Sequence, residues 1–133
     1  IRTIHIPGRL FSVGDATSSN IPNLFARNER LVCVFKTNKG LCCLILVGAM
    51  IVSSIKTVWS VGTKKGYNAP EIEEVDYTSK KMRVELEKGH EVGHFELGST
   101  VIVLFEEGLM ELSSDILVNM PIKMGEPLGR IIN

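Results

Sequence analysis

Several absences narrow this chain before any motif is read. Neither sign of charge is in excess: 15 Lys and Arg balance 15 Asp and Glu, for a formal net charge of zero. Nucleic acid calls for a basic surface, so composition argues against DNA or RNA as a partner. It offers no long-range attraction to anionic lipid either, although a local patch is compatible with it. The longest apolar run, 41–52, is about twelve residues broken by Gly48, whereas a membrane-spanning helix needs roughly twenty. No signal peptide is visible. Cysteine is scarce, and Cys33, Cys42 and Cys43 show no Cys-x-x-Cys spacing, which argues against zinc. On a strand, Cys42 and Cys43 point to opposite faces and do not bridge each other. The three read as small buried residues in a reducing compartment. Internal repeats, low-complexity segments and long amphipathic helices are likewise missing.

What is present suits a small globular unit. The length of 133 residues fits one domain, and 44% hydrophobic residues suffice for a core. Arg2 to Ile6 alternates like a strand that Pro7-Gly8 ends. Leu10 to Val13 is short and extended, and 14–20 is a polar loop. Pro22 to Asn28 forms one short helical turn, with Asn20 as a possible cap. Leu31 to Lys36 is a strand, and Thr37-Asn38-Lys39-Gly40 is a hairpin turn. Leu41 to Val52 returns antiparallel through the centre of the sheet. Ser54 to Val61 alternates, with Ile55, Thr57 and Trp59 on one face. Glu71 to Arg83 is charged and reads as a solvated excursion. Met82, Val84 and Leu86 alternate again, 101–105 is a buried strand, and 110–112 is extended. Ile116-Leu117-Val118 and the stretch from Pro121 to Ile131 supply the last strands and turns. The expectation is an all-β fold, a compact β-sandwich or barrel-like domain of short strands with at most one short helix.

Chemistry concentrates at Phe95-Glu96-Leu97-Gly98-Ser99-Thr100, which leads into five apolar residues. Taken alone, Gly-Ser-Thr is common and reads as a tight turn entering a strand. It also suits chemistry on the backbone. Glycine leaves its carbonyl open to attack and reaches conformations closed to other residues, and the Ser99 hydroxyl is the adjacent nucleophile. Attack on the Gly98 carbonyl would convert the peptide to an ester. Elimination would then split the chain, leaving a dehydroalanine that hydrolyses to a pyruvoyl group.

The neighbours sharpen this. The run from Lys88 through Gly89, Gly93, Phe95 and Gly98-Ser99-Thr100 resembles the processing-site segment of the phosphatidylserine decarboxylase family. So do Pro7 to Val13, Asn20 to Arg30, Ile45 to Val52 with Ser54-Ile55 and Thr57-Val58-Trp59, and the tail Lys123 to Gly129. The resemblance covers nearly the whole chain and is weakest between Gly62 and Arg83. It implies a β-rich catalytic domain related to barrel-sandwich folds. It also implies cleavage between Gly98 and Ser99, dividing 1–98 (β chain) from 99–133 (α chain), with Ser99 becoming a covalent pyruvoyl cofactor. That group would condense with the amine of phosphatidylserine and act as electron sink while carbon dioxide leaves, giving phosphatidylethanolamine. Ser12, in Leu10-Phe11-Ser12-Val13, is implied to lie close to the pyruvoyl group and to serve decarboxylation; otherwise it is a loop serine satisfying backbone groups. The implied setting is peripheral, on the cytoplasmic face of a membrane reached through an N-terminal segment, with a possible homodimer. No metal is implied.

The family's self-processing serine is activated by an aspartate and by a histidine of a Tyr-His-x-x-His motif; neither appears in this sequence, and neither Asp15 nor Asp76 matches. The chain begins at Ile1 without methionine, so it reads as a fragment or processed product. Alone it should be unable to cut itself or turn over. His5, His90 and His94 fall on positions that vary in the family, and Gly89 and Gly93 make a helical His90–His94 metal pair implausible. Arg27 and Arg30 could approach a lipid phosphate, but a loop-fixing bond or an ion pair with Glu29 is the simpler reading. Lys64, Lys65, Lys80 and Lys81 form a solvated rim. Two rival functions stand: a non-catalytic carrier module, from the faint likeness of 122–126 to a lysine-bearing hairpin centred on Lys123, and a pyruvoyl decarboxylase for another amine.

Overall fold

The computed structural model describes residues 1–50, 55–59, 71–95 and 99–132. The sheet begins with β1 (Arg2–Ile6), whose alternation buries Thr3 and His5. Two short helices follow, α1 (Asp15–Asn20) and α2 (Leu24–Arg27). Then come β2 (Arg30–Lys36), β3 (Leu41–Val47), β4 (Ile55–Thr57), β5 (Glu73–Asp76), β6 (Gly93–Phe95), β7 (Thr100–Phe105), β8 (Met110–Leu112) and β9 (Gly129–Ile131). β5, β1, β2, β3 and β7 form one sheet in that order, every pairing antiparallel. β4 with β6 and β8 with β9 make two antiparallel ribbons. The fold is all-β, as expected, and among the described residues no helix is long and apolar enough to cross a membrane.

The hairpin joining β2 to β3 shows local chemistry setting register. The Thr37 hydroxyl accepts the amides of Lys39 and Gly40, both at 3.1 Å, and donates to the Gly40 carbonyl at 2.8 Å. Gly40 has φ +156°, and a Cβ there would lie 2.7 Å from a Glu106 carboxylate oxygen; only glycine fits. That turn fixes Cys33 opposite Leu44 and Leu31 opposite Leu46. Because directly paired residues share a face, Leu31, Cys33 and Leu46 form one apolar surface. Ile55 of β4 packs onto it, with Phe35, Leu44, Trp59 and Phe95 around it. Phe35 meets Trp59 edge to face, with centroids 6.0 Å apart. Ile55 is 1% exposed, and burial of such a side chain stabilises by about 2 kcal/mol.

The structure departs from the sequence reading in several places. Residues 15–20 are helical, not loop: the Gly14 carbonyl accepts the amides of Thr17 and Ser18, and Asp15 complements the positive helix start. A second short helix is therefore present, and Asn23, not Asn20, stands at the N-cap position of α2, with its carbonyl and not its side chain accepting the helix amides. The segment read as a solvated excursion contains β5, an edge strand on β1 whose Glu74 pairs with Arg2 at 3.1 Å. Residues 82–86 and 116–118 form no strand; Leu117 and Val118 are exposed. β7 is an edge strand with Val101, Leu104 and Phe105 exposed, not a buried one, because an apolar run is buried only where a neighbour covers it. The central strand is β2; β3 lies one place from the edge and ends at Val47. The remainder of the expected 41–52 strand is not strand at 48–50 and falls at 51–52 outside the described residues.

All three cysteines are unbridged. Burial pushes the Cys33 thiol up to about 12, with Cys43 adding to the effect, and burial raises Cys42 and Cys43 as well. A buried polar pair also crosses this layer: His5 Nε2 lies 2.7 Å from Glu29 Oε1, the two residues 5% and 2% exposed. Glu29 therefore pairs with His5, not with Arg27 or Arg30. Two outcomes follow for the full-length protein. His5→Ala leaves a buried carboxyl without its partner, and should cost about 3 kcal/mol in urea denaturation; a loss near zero would mean the pair is solvated. Cys33 keeps its proton in the folded state while the unfolded chain ionises above the ordinary value of 9.0. Stability should thus be full below pH 9 and decline as pH rises toward 12. Cys33→Ala should flatten that decline in denaturation midpoints compared between pH 8 and pH 10, and an unchanged slope would contradict the assignment.

Candidate active site

Ser99 stands immediately before β7 and is half-buried. The register that pairs Thr100 with Val47 brings Ser99 to the end of β3, where its hydroxyl donates to the Val47 carbonyl. A peptide carbonyl is not a base, so this bond fixes the oxygen without taking its proton; deprotonation requires another group. Gly98, the other half of the expected scissile bond, lies outside the described residues.

Val47 is fully buried and Gly48 follows it. The Gly48 amide donates to the Glu29 carbonyl at 2.8 Å, and the Gly48 carbonyl accepts from Asn28 Nδ2 at 2.9 Å. The same Asn28 amide donates to the Phe11 carbonyl at 2.8 Å, while its Oδ1 accepts the Phe11 amide at 2.9 Å. Asn28 is 0% exposed, so these internal partners replace the water it gave up. Beside it, the Arg9 amide donates to the Arg27 carbonyl and the Glu29 amide to the Arg9 carbonyl, both at 2.8 Å. Gly8 allows this approach: a Cβ there would lie 2.6 Å from the Arg27 oxygen and from the Asn28 carbonyl carbon.

Ser12 follows Phe11 in this tethered segment. Its hydroxyl accepts the Gly14 amide at 3.3 Å and retains a proton to donate. Ser12 and Ser99 are joined by a bonded path through Phe11, Asn28, Gly48 and Val47.

The other candidates take ordinary roles. Arg27 stacks over the Phe11 ring at 4.9 Å and reaches the Pro22 carbonyl at 3.5 Å. Arg30 donates to the Phe25 carbonyl at 3.1 Å. His94 pairs with Glu91 at 2.8 Å and His90 lies 3.7 Å from Glu87, all on the surface. Lys80 and Lys81 are exposed; Lys64 and Lys65 lie outside the described residues. The Lys123 amide bonds Glu126 at 2.8 Å in a turn between β8 and β9. Among the described residues no group of three His, Cys, Asp or Glu is placed to hold a metal. The sequence reading assigned no role to Asn28. Its neighbours Arg27, Glu29 and Arg30 make it look solvated; its only visible signal is its place between a helix end and a strand.

A family model described as phosphatidylserine decarboxylase matches residues 1–130. A phosphatidylserine decarboxylase proenzyme of Pseudomonas fluorescens is 45% identical over 130 residues, covering 95% of this chain and 43% of the relative. One from Methylococcus capsulatus is 50% identical over 125 residues, 94% of this chain and 42% of the relative. One from Glaesserella parasuis is 47% identical over 131 residues, 98% and 44% respectively. The chain thus spans less than half the length of these relatives, yet the match takes in Ser12, Asn28 and the whole Gly98-Ser99-Thr100 segment: it belongs to the phosphatidylserine decarboxylase family.

Proposed function

We propose that this chain is the catalytic part of a phosphatidylserine decarboxylase that matures by cutting itself between Gly98 and Ser99. The observation that carries the reading is the family match over residues 1–130, which includes both serines. The carrier reading loses ground on the same observation, and Lys123 sits in a turn with its amide bound to Glu126.

The chemistry asked of Ser99 balances without an oxidant. Its hydroxyl oxygen attacks the Gly98 carbonyl carbon, the Ser99 nitrogen leaves, and an ester forms. Loss of the Ser99 α-proton expels the Gly98 carboxylate. The resulting dehydroalanine takes up water and releases ammonia, leaving the keto group. The Ser99 position suits such a group: it is half-buried and stands at the head of a strand. The pyruvoyl group, once formed, supplies the electron sink for decarboxylation. Ser12 is assigned to the same site, where its hydroxyl donates a hydrogen bond or proton to the substrate. Residues 1–98 and 99–133 become the β and α chains. The base that activates Ser99 is assigned to sequence outside these 133 residues, as is the segment that seats the enzyme on the cytoplasmic face of a membrane, where its lipid substrate lies.

Ser99→Ala in the full-length proenzyme removes the nucleophile and should leave one uncut, inactive chain on a denaturing gel. Gly98→Val should also stay uncut, because a β-branched side chain crowds the carbonyl. Two pieces of wild-type size from Ser99→Ala would remove residue 99 as the nucleophile.

A further inference from the structure

We propose that Asn28 is a positioning residue for self-cleavage, holding through one buried amide both the peptide unit that follows the one seating Ser99 and the segment that carries Ser12. The inference rests on the reading of Ser99 as the processing nucleophile.

The argument starts from peptide planarity. The Val47 carbonyl and the Gly48 amide belong to one rigid unit, pointing in opposite directions. The amide side is tied to the Glu29 carbonyl at 2.8 Å, and the carbonyl side receives the Ser99 hydroxyl. Fixing one end of the unit aims the other. The next carbonyl, that of Gly48, is held by Asn28 Nδ2 at 2.9 Å. Residues 28 and 29 therefore grip the chain at two successive peptide units and set the direction of the bond to Ser99.

The second hydrogen on Asn28 Nδ2 goes to the Phe11 carbonyl at 2.8 Å. That carbonyl shares a peptide plane with the Ser12 nitrogen, so Asn28 also orients the start of Ser12. The Phe11 amide returns to Asn28 Oδ1 at 2.9 Å, which closes a two-bond clamp. No other residue type places two donors and an acceptor here in the same volume: aspartate lacks the donors, leucine lacks all three. A purely structural buried amide could sit anywhere in the core. This one bonds the residue before Ser12 and the residue after Ser99's partner.

Attack of a hydroxyl on the adjacent carbonyl depends steeply on geometry, and displacement by about 1 Å can cost on the order of a hundredfold in rate. The test is the first-order rate constant of chain cutting in the folded fraction of the full-length proenzyme at about 20 °C, near the usual temperature of maximum stability. Asn28→Asp keeps the volume and one acceptor but removes both donors; Asn28→Ser is the companion should a buried carboxylate prevent folding. Either should slow cutting by roughly ten- to a hundredfold. Leu109→Ala is the control. Leu109 is 7% exposed and packs by the hairpin at the far end of β3 from Val47. It should lower the melting temperature at least as far, while cutting stays within about twofold of wild type. Wild-type cutting in the folded Asn28 variants, or equal slowing in Leu109→Ala, would overturn the proposal. Failure of the underlying reading registers separately, as cutting in Ser99→Ala, and would remove this inference with it.

Discussion

A polar side chain taken wholly out of water must find its hydrogen bonds inside the protein, and in this fold one such side chain, Asn28, ties together three stretches that are remote in sequence. It fastens the loop after β1 to the exit of α2 and to the end of β3. Losing the amide would leave the buried Gly48 carbonyl unpaired, at about 1–3 kcal/mol, and with it the half-buried Phe11 carbonyl and amide. The closeness of these strands of backbone depends on Gly8, which has no side chain to hold the loop away from Asn28.

The sheet supplies the second constraint. The Thr37–Gly40 turn sets how β2 and β3 align, and that register continues through β3 into β7. Val47 therefore faces Thr100, and Ser99 reaches the one carbonyl at the strand's end that neighbours Gly48. On the core side, Ile55 and the β4–β6 ribbon cover Leu31, Cys33 and Leu46, which gives β3 a rigid backing. Ser99, at the head of an edge strand, is thus held by an interior one. The edge position also leaves the approach to β7 uncovered among the described strands, which suits the proposed role of Ser99.

Much of this was legible in the sequence, for identifiable reasons. The alternation of β1, the apolar run of β2 and the Gly40 turn announced the antiparallel core directly. β5 did not, since an edge strand built of Glu73, Glu74 and Asp76 around a single Val75 carries no apolar alternation. α1 did not, because a helix of Asp, Ala, Thr, Ser, Ser and Asn has weak intrinsic preference and depends on the Gly14 carbonyl. The exposed runs at β7 and 116–118 misled for the opposite reason: apolar residues signal burial only where something packs on them. At the site, Ser99 and Ser12 stood out through the family resemblance of their segments, since neither Gly-Ser-Thr nor a loop serine is distinctive by itself. Asn28 and Glu29 were hidden among charged neighbours, and only the fold reveals that both are almost wholly buried.

The central claim is that Ser99 is converted and the chain divides before it. The most direct measurement is the intact mass of the full-length protein after expression. The account predicts two pieces whose boundary falls between Gly98 and Ser99, with the C-terminal piece lighter by one ammonia than a chain beginning with unmodified serine. A single uncut mass, or a C-terminal piece that begins with an ordinary serine, would contradict it.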